Sequence, residues 1–125
     1  MPAIITGWGH CAPPGILTND DLATIMETSD EWIVERTGIR QRHCSHVSSG
    51  ELGRVAGARA IACAGLEPGD IDAIIFASVS PELLIPSTAS LVQKRLGIKD
   101  AAAMDLNVGC SGFIYGLSVA NGLVT

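Results

Sequence analysis

Residues 111–125 carry no charged side chain and include Gly112, Gly116 and Gly122 among Phe113, Ile114, Leu117 and Val119. A helix that is apolar all round has no face to offer water, so the segment predicts a helix enclosed by other structure. Its interior glycines each cost about 1 kcal/mol relative to alanine, which close packing against other backbones would offset. Aromatic residues make up only 4% of the chain while 47% of it is hydrophobic. The core must therefore be built from Ala, Ile, Leu and Val at short range. No C-cap or polar trailing segment closes the apolar stretch, and further partner structure is expected around it.

The rest of the chain alternates strand and helix signals. Ala3 to Gly9 reads as a strand, broken by Cys11-Ala-Pro-Pro-Gly15. Thr18 with Asp21, and Thr28 with Glu31, predict capped starts for short helices near 19–26 and 29–36. Ile39 to His43 suits a strand. Ser49 to Ala64 has helical periodicity, with Leu52, Val55, Ala56, Ala60 and Cys63 on one side and Gly65 as its stop. Arg59 shares that side, either snorkelling or meeting an acid. Ile71 to Val79 and Ala101 to Leu106 read as buried strands, separated by a helix from about Ser87 to Leu96 that turns Ala89, Val92 and Leu96 inward and stops at Gly97. The order predicts a layered α/β fold in one domain over residues 1–125, with helices against a largely buried sheet.

A net charge of −5 argues against a general binder of nucleic acid. No secretory or membrane-spanning segment is evident, and the four cysteines lack C-x-x-C spacing, so a reducing cytoplasm is expected. His10-Cys11 and His43-Cys44-Ser45-His46 hold metal-ligating types, but their spacing fits no familiar zinc site and no metal is expected. Gly7 and Gly9 make no dinucleotide fingerprint, because Cys11-Ala-Pro-Pro cannot open the required helix.

Cys110 is the residue with the strongest chemical setting. It lies in Asp105-Leu-Asn-Val-Gly-Cys-Ser-Gly-Phe113, between a strand and the apolar helix. Unpaired backbone N–H groups and the positive end of the helix dipole favour an anion at such a junction, which is how a thiol is prepared as a nucleophile. An apolar context by itself also suits an inert buried cysteine, and the helical apolar neighbours of Cys63 mark that residue as packing. Cys11 and Cys44 are assigned no role. Thr28, Trp32 and Arg36 recur at four-residue steps and share one helical face, offering a hydroxyl, a stacking surface and a phosphate-pairing guanidinium. On spacing alone they read as a solvated face with Thr28 as a cap.

Ser29-Asp-Glu-Trp-Ile-Val-Glu-Arg-Thr-Gly-Ile-Arg40, Pro86-Ser-Thr-Ala89 and Asp105 through Phe113 together resemble, in order and at compatible separations, β-ketoacyl-acyl carrier protein synthase III of the thiolase superfamily. The resemblance covers essentially the whole chain and implies most of the N-terminal half of a thiolase-like condensing-enzyme subunit. It implies that Cys110 accepts an acyl group from acyl-coenzyme A and that the thioester condenses with malonyl-acyl carrier protein as carbon dioxide leaves, initiating fatty-acid synthesis. It also implies coenzyme A contacts at Thr28, Trp32 and Arg36, and a place for Ile85 at the acyl pocket across a homodimer interface. No cofactor beyond these substrates is implied. The family's catalytic His and Asn match no position here, so this segment alone is expected not to condense. Related condensing enzymes, such as a type III polyketide synthase or hydroxymethylglutaryl-coenzyme A synthase, and a noncatalytic assembly segment are the alternatives.

Overall fold

Strand order and helix caps in the computed structural model, which describes residues 3–125, follow from a few local sequence signals. The chain divides into two compact units, Ala12–His46 and the remainder of the described residues.

The smaller unit pairs β1 (Gly15–Thr18) with β2 (Gln41–Cys44) antiparallel, in a register that sets Gly15 opposite Cys44 and Thr18 opposite Gln41. Thr18 then caps α1 (Asn19–Ala23): its side chain accepts from the Asp21 N–H while the Asp21 carboxylate accepts from the Thr18 N–H. The cap of α2 (Asp30–Thr37) is Ser29, which accepts from the Trp32 N–H, and not Thr28. Thr28 sits one residue too early to reach the amides of the first turn. Gly38 ends α2 in the left-handed conformation that only glycine adopts without strain. Buried Asn19 holds the unit together. Its amide nitrogen donates to Asp30 and to the Ile39 carbonyl, and its oxygen accepts from Arg42 at 2.6 Å. A buried amide with every partner supplied stabilises one arrangement over others.

In the larger unit β3 (Ala73–Ala77) and β4 (Ala102–Leu106) run parallel, joined through α4 (Thr88–Leu96). Side chains alternate across a strand. On β3 this turns Ile75 and Ala77 toward α5 (Gly112–Val124), whose Gly112 and Gly116 approach them, while Phe76 faces the opposite way onto Gly53 of α3 (Ser49–Ala64). Helix, sheet and helix thus form layers, and α4 carries the centre: Ala89 and Val92 are buried, with Ile98 just beyond its end. Ser48 and Ser87 cap α3 and α4; Gly65 and Gly97 stop them in the left-handed region, as expected from the sequence.

Three expectations fail. Residues 3–9 pair with no strand; they run over the backbone of α3, where a Cβ at Gly7 or Gly9 would strike Ala60 or Ala56. A strand is a property of a pair, and β1, which the prolines disguised, is the one that finds a partner. Cys63 is exposed, not packed, because the helix side it shares is only partly covered. The apolar helix α5 is not enclosed among the described residues, in keeping with the further structure expected around it: Phe113, Ile114 and Val124 are each about two-thirds exposed or more. Arg59 chooses neither expected course and donates to the His10 carbonyl at 2.6 Å, fastening the N-terminal segment to α3. Among the described residues no helix is long and apolar enough to cross a membrane.

Candidate active site

Cys110 stands on a single helical turn, Gly109–Ser111, between the end of β4 and the start of α5. Gly109 makes the turn possible with φ of 62°, and the Gly112 N–H donates back to its carbonyl. Gly112 is buried, and a Cβ there would lie 3.0 Å from that of Ala77, so the helix start is pressed onto β3. The thiol itself is exposed. Cys110 lies just ahead of the first residues of α5, where the peptide dipoles of a helix present their positive end.

Asp105 has a role that the sequence reading missed. Its two carboxylate oxygens accept from the N–H groups of Thr88 and Ala89 at 2.7 and 2.8 Å. Ser87 takes the next two amides of α4, through its hydroxyl from Ser90 and through its carbonyl from Leu91. The three amides of the first turn that have no helical partner, those of Thr88, Ala89 and Ser90, are therefore all satisfied, and the Leu91 bond begins the helix ladder. The strand that delivers Cys110 and the helix at the centre of the unit are locked together by one side chain. An acid on a strand beside Pro86-Ser-Thr-Ala89 was the available signal.

Thr28, Trp32 and Arg36 come together in the smaller unit. The Arg36 guanidinium lies 4.4 Å over the Trp32 ring, and Trp32 stays half exposed. Glu27, Thr28, Ser29 and Trp32 line a shallow depression beside it. Arg36 also reaches Glu35 at 3.8 Å, a solvent-exposed pair worth little. Of the histidines, His10 stacks on Trp8 and His43 is bonded through Nδ1 to the Pro13 carbonyl.

Ile85 belongs to the larger unit, at the tip of the 78–87 loop, and is 87% exposed. The base of that loop is tied down by Glu82, whose carboxylate receives Arg95 Nη1 at 2.7 Å, Arg95 Nη2 at 2.9 Å and the Ser48 hydroxyl. These bonds, the Arg95 pair first, lower the Glu82 pKa from 4.5 to about 2. A depressed carboxyl pKa stabilises the fold above the unfolded value and loses that contribution as pH falls toward the folded one. Stability should therefore drop between about pH 5 and 2, and Glu82→Gln should flatten that part of the profile relative to the unmodified chain. Urea midpoints measured across this range check it; parallel profiles would contradict it.

No family model matches the sequence. Curated relatives do. The chain is 57% identical over 122 residues to β-ketoacyl-[acyl-carrier-protein] synthase III 2 of Vibrio cholerae, covering 98% of this chain and 34% of the relative. It is 48% identical to the synthase III of Methylococcus capsulatus, covering 94% and 37%. The chain is homologous to β-ketoacyl-acyl carrier protein synthase III. It corresponds to an N-terminal portion and spans about a third of the length of the synthase III sequences it matches. The crystal structure of 3-oxoacyl-[acyl-carrier-protein] synthase III from Aquifex aeolicus superposes with a TM-score of 0.93 at 41% identity, over 99% of this chain and 40% of that one. A priming β-ketosynthase from the R1128 polyketide pathway gives 0.91 at 30% identity, over 96% and 36%. The fold is thus the N-terminal part of the thiolase-like α/β fold of synthase III, as the motifs implied.

Proposed function

We propose that this chain supplies the acyl-accepting cysteine and part of the coenzyme A site of an initiating condensing enzyme in fatty-acid synthesis. The observation that carries the reading is the exposed Cys110 on its turn between β4 and α5, in a chain homologous to synthase III. The Cys110 sulfur, as thiolate, attacks the thioester carbonyl of acyl-coenzyme A. The carbonyl electron pair moves to oxygen, the Cys110 N–H contributes one donor to that oxyanion, and collapse expels coenzyme A as its thiolate. The acyl group then rests on Cys110. Decarboxylation of malonyl-acyl carrier protein releases carbon dioxide and leaves a carbanion that attacks this thioester, returning the cysteine thiolate. The resemblance places the His and Asn that assist that step at no position of this chain.

Thr28, Trp32 and Arg36 are read as contacts to coenzyme A, with the indole stacking on adenine and the guanidinium pairing with phosphate. The 4.4 Å stack of Arg36 on Trp32 supports this, since it holds both groups in one place before a ligand arrives. Trp32→Ala in the complete enzyme should weaken coenzyme A binding by about tenfold, read by calorimetric titration. An unchanged affinity would remove this helix from the site. Ile85 is read as a wall of the acyl pocket in a neighbouring subunit of a homodimer, and its exposure on a loop tip is compatible with being covered there. A cytoplasmic location fits the reducing environment that a free nucleophilic thiol requires.

The likeness to a priming β-ketosynthase favours one second reading, polyketide priming by the same chemistry. Acylation of Cys110 is common to both. Assay of the complete enzyme against malonyl-loaded carrier proteins of the two kinds of pathway separates them.

A further inference from the structure

We propose that Glu82 is a positioning residue for primer selection, because its carboxylate fixes the loop that carries Ile85. The proposal rests on the reading of Ile85 as part of the acyl pocket. Leu83, Leu84 and Ile85 are 51, 92 and 87% exposed, so packing within the chain does little to place the loop tip. The loop's base is held from four sides instead. The Ser78 N–H donates to the Leu106 carbonyl at 3.1 Å, and the Ser49 hydroxyl donates to the Ser80 carbonyl at 3.0 Å. The Glu82 N–H donates to Thr88 Oγ1 at 3.1 Å, while its side chain takes the bidentate Arg95 and the Ser48 hydroxyl.

Glu82 is the one residue of the loop joined through its side chain to both α3, at its cap, and α4, at its last turn. Space is kept for it: a Cβ at Gly50 would run into the Glu82 carboxylate. A bidentate Arg–carboxylate pair fixes direction as well as distance, and Glu82 is only 15% exposed at its side chain, so water competes weakly. Two residues lie between Glu82 and Ile85, three steps of chain with a reach of about 10 Å. Ile85 is held from its other side by the α4 cap Ser87, two residues on. Loss of the Glu82 clamp therefore shifts it within the slack of that short tether, a distance on the scale of one methylene, the step on which chain-length discrimination depends.

The test uses the complete enzyme containing this chain. Acetyl-, butyryl- and octanoyl-coenzyme A compete for Cys110, and intact mass spectrometry reads the ratio of acyl adducts. Glu82→Gln and Arg95→Gln should each change that ratio by about tenfold, with the KM for malonyl-acyl carrier protein unchanged. The exchanged pair Glu82→Arg with Arg95→Glu should recover much of the original ratio. Faster deuterium uptake at residues 83–85 in the single variants reports release of the loop directly, and Ser48→Ala weakens the clamp from α3 should either variant fold poorly. Ile85→Ala serves as the independent control. If Ile85→Ala changes the ratio while the clamp variants leave it within about twofold, the clamp proposal is overturned and the pocket reading stands. If Ile85→Ala leaves the ratio unmoved, the pocket reading fails and the proposal falls with it.

Discussion

Asp105→Asn is expected to lower the stability of the larger unit by about 2 kcal/mol. The carboxylate gives one oxygen to each of two amides, those of Thr88 and Ala89, on residues with no exposed surface. Asparagine keeps one oxygen and turns its amino group toward the other N–H, donor against donor. A buried donor without a partner costs about 1–3 kcal/mol, and the loss of negative charge at the positive end of α4 adds a few tenths. Asp105 is itself partly open to solvent, so water can relieve some of this, which is why the lower half of the combined range is expected. Urea unfolding should show a lower midpoint at unchanged slope. A midpoint unmoved by the substitution would mean that Ser87 alone suffices to cap α4. The consequence extends to chemistry, because β4 delivers Cys110 five residues later and takes its position from the same bonds.

Cys110→Ala should reduce acyl transfer and condensation in the complete enzyme by at least about a thousandfold, since a covalent route loses its only acceptor atom. The backbone of the turn is indifferent to the change: Gly109 sets its φ and Gly112 packs on Ala77 whatever stands between them. Folding and coenzyme A affinity should therefore survive. That combination, binding without transfer, separates a chemical role from a structural one. Turnover that persisted near the original rate would place the acceptor elsewhere.

Much of this was legible because it is local. Thr18 and Asp21 cap each other three residues apart, and Gly65 and Gly97 stop helices that their own neighbours define. The same holds for the turn at Cys110, where Gly109 and Gly112 announce a sharp junction between a strand and a helix. What stayed hidden depends on groups distant in sequence. The Arg59 partner is a carbonyl 49 residues away, Glu82 meets Ser48 across 34, and Asp105 meets Ala89 across 16. Neither periodicity nor propensity encodes such pairings. Residues 3–9 have the composition of a strand but lie on α3, while Gly15–Thr18, behind two prolines, is the segment that β2 pairs with. The uniform apolarity of α5 was read correctly from the residues and its enclosure was not observed, because hydropathy states what a surface prefers and not what covers it.

Cys44, Cys63 and Cys110 are all exposed, so an acyl group found on the protein does not by itself identify its carrier. The decisive measurement is peptide mapping by tandem mass spectrometry of the complete enzyme after brief exposure to acetyl-coenzyme A. Acetyl mass confined to the peptide that contains Cys110 is the result expected; acetyl mass on another cysteine, with Cys110 free and reactive, would contradict the assignment.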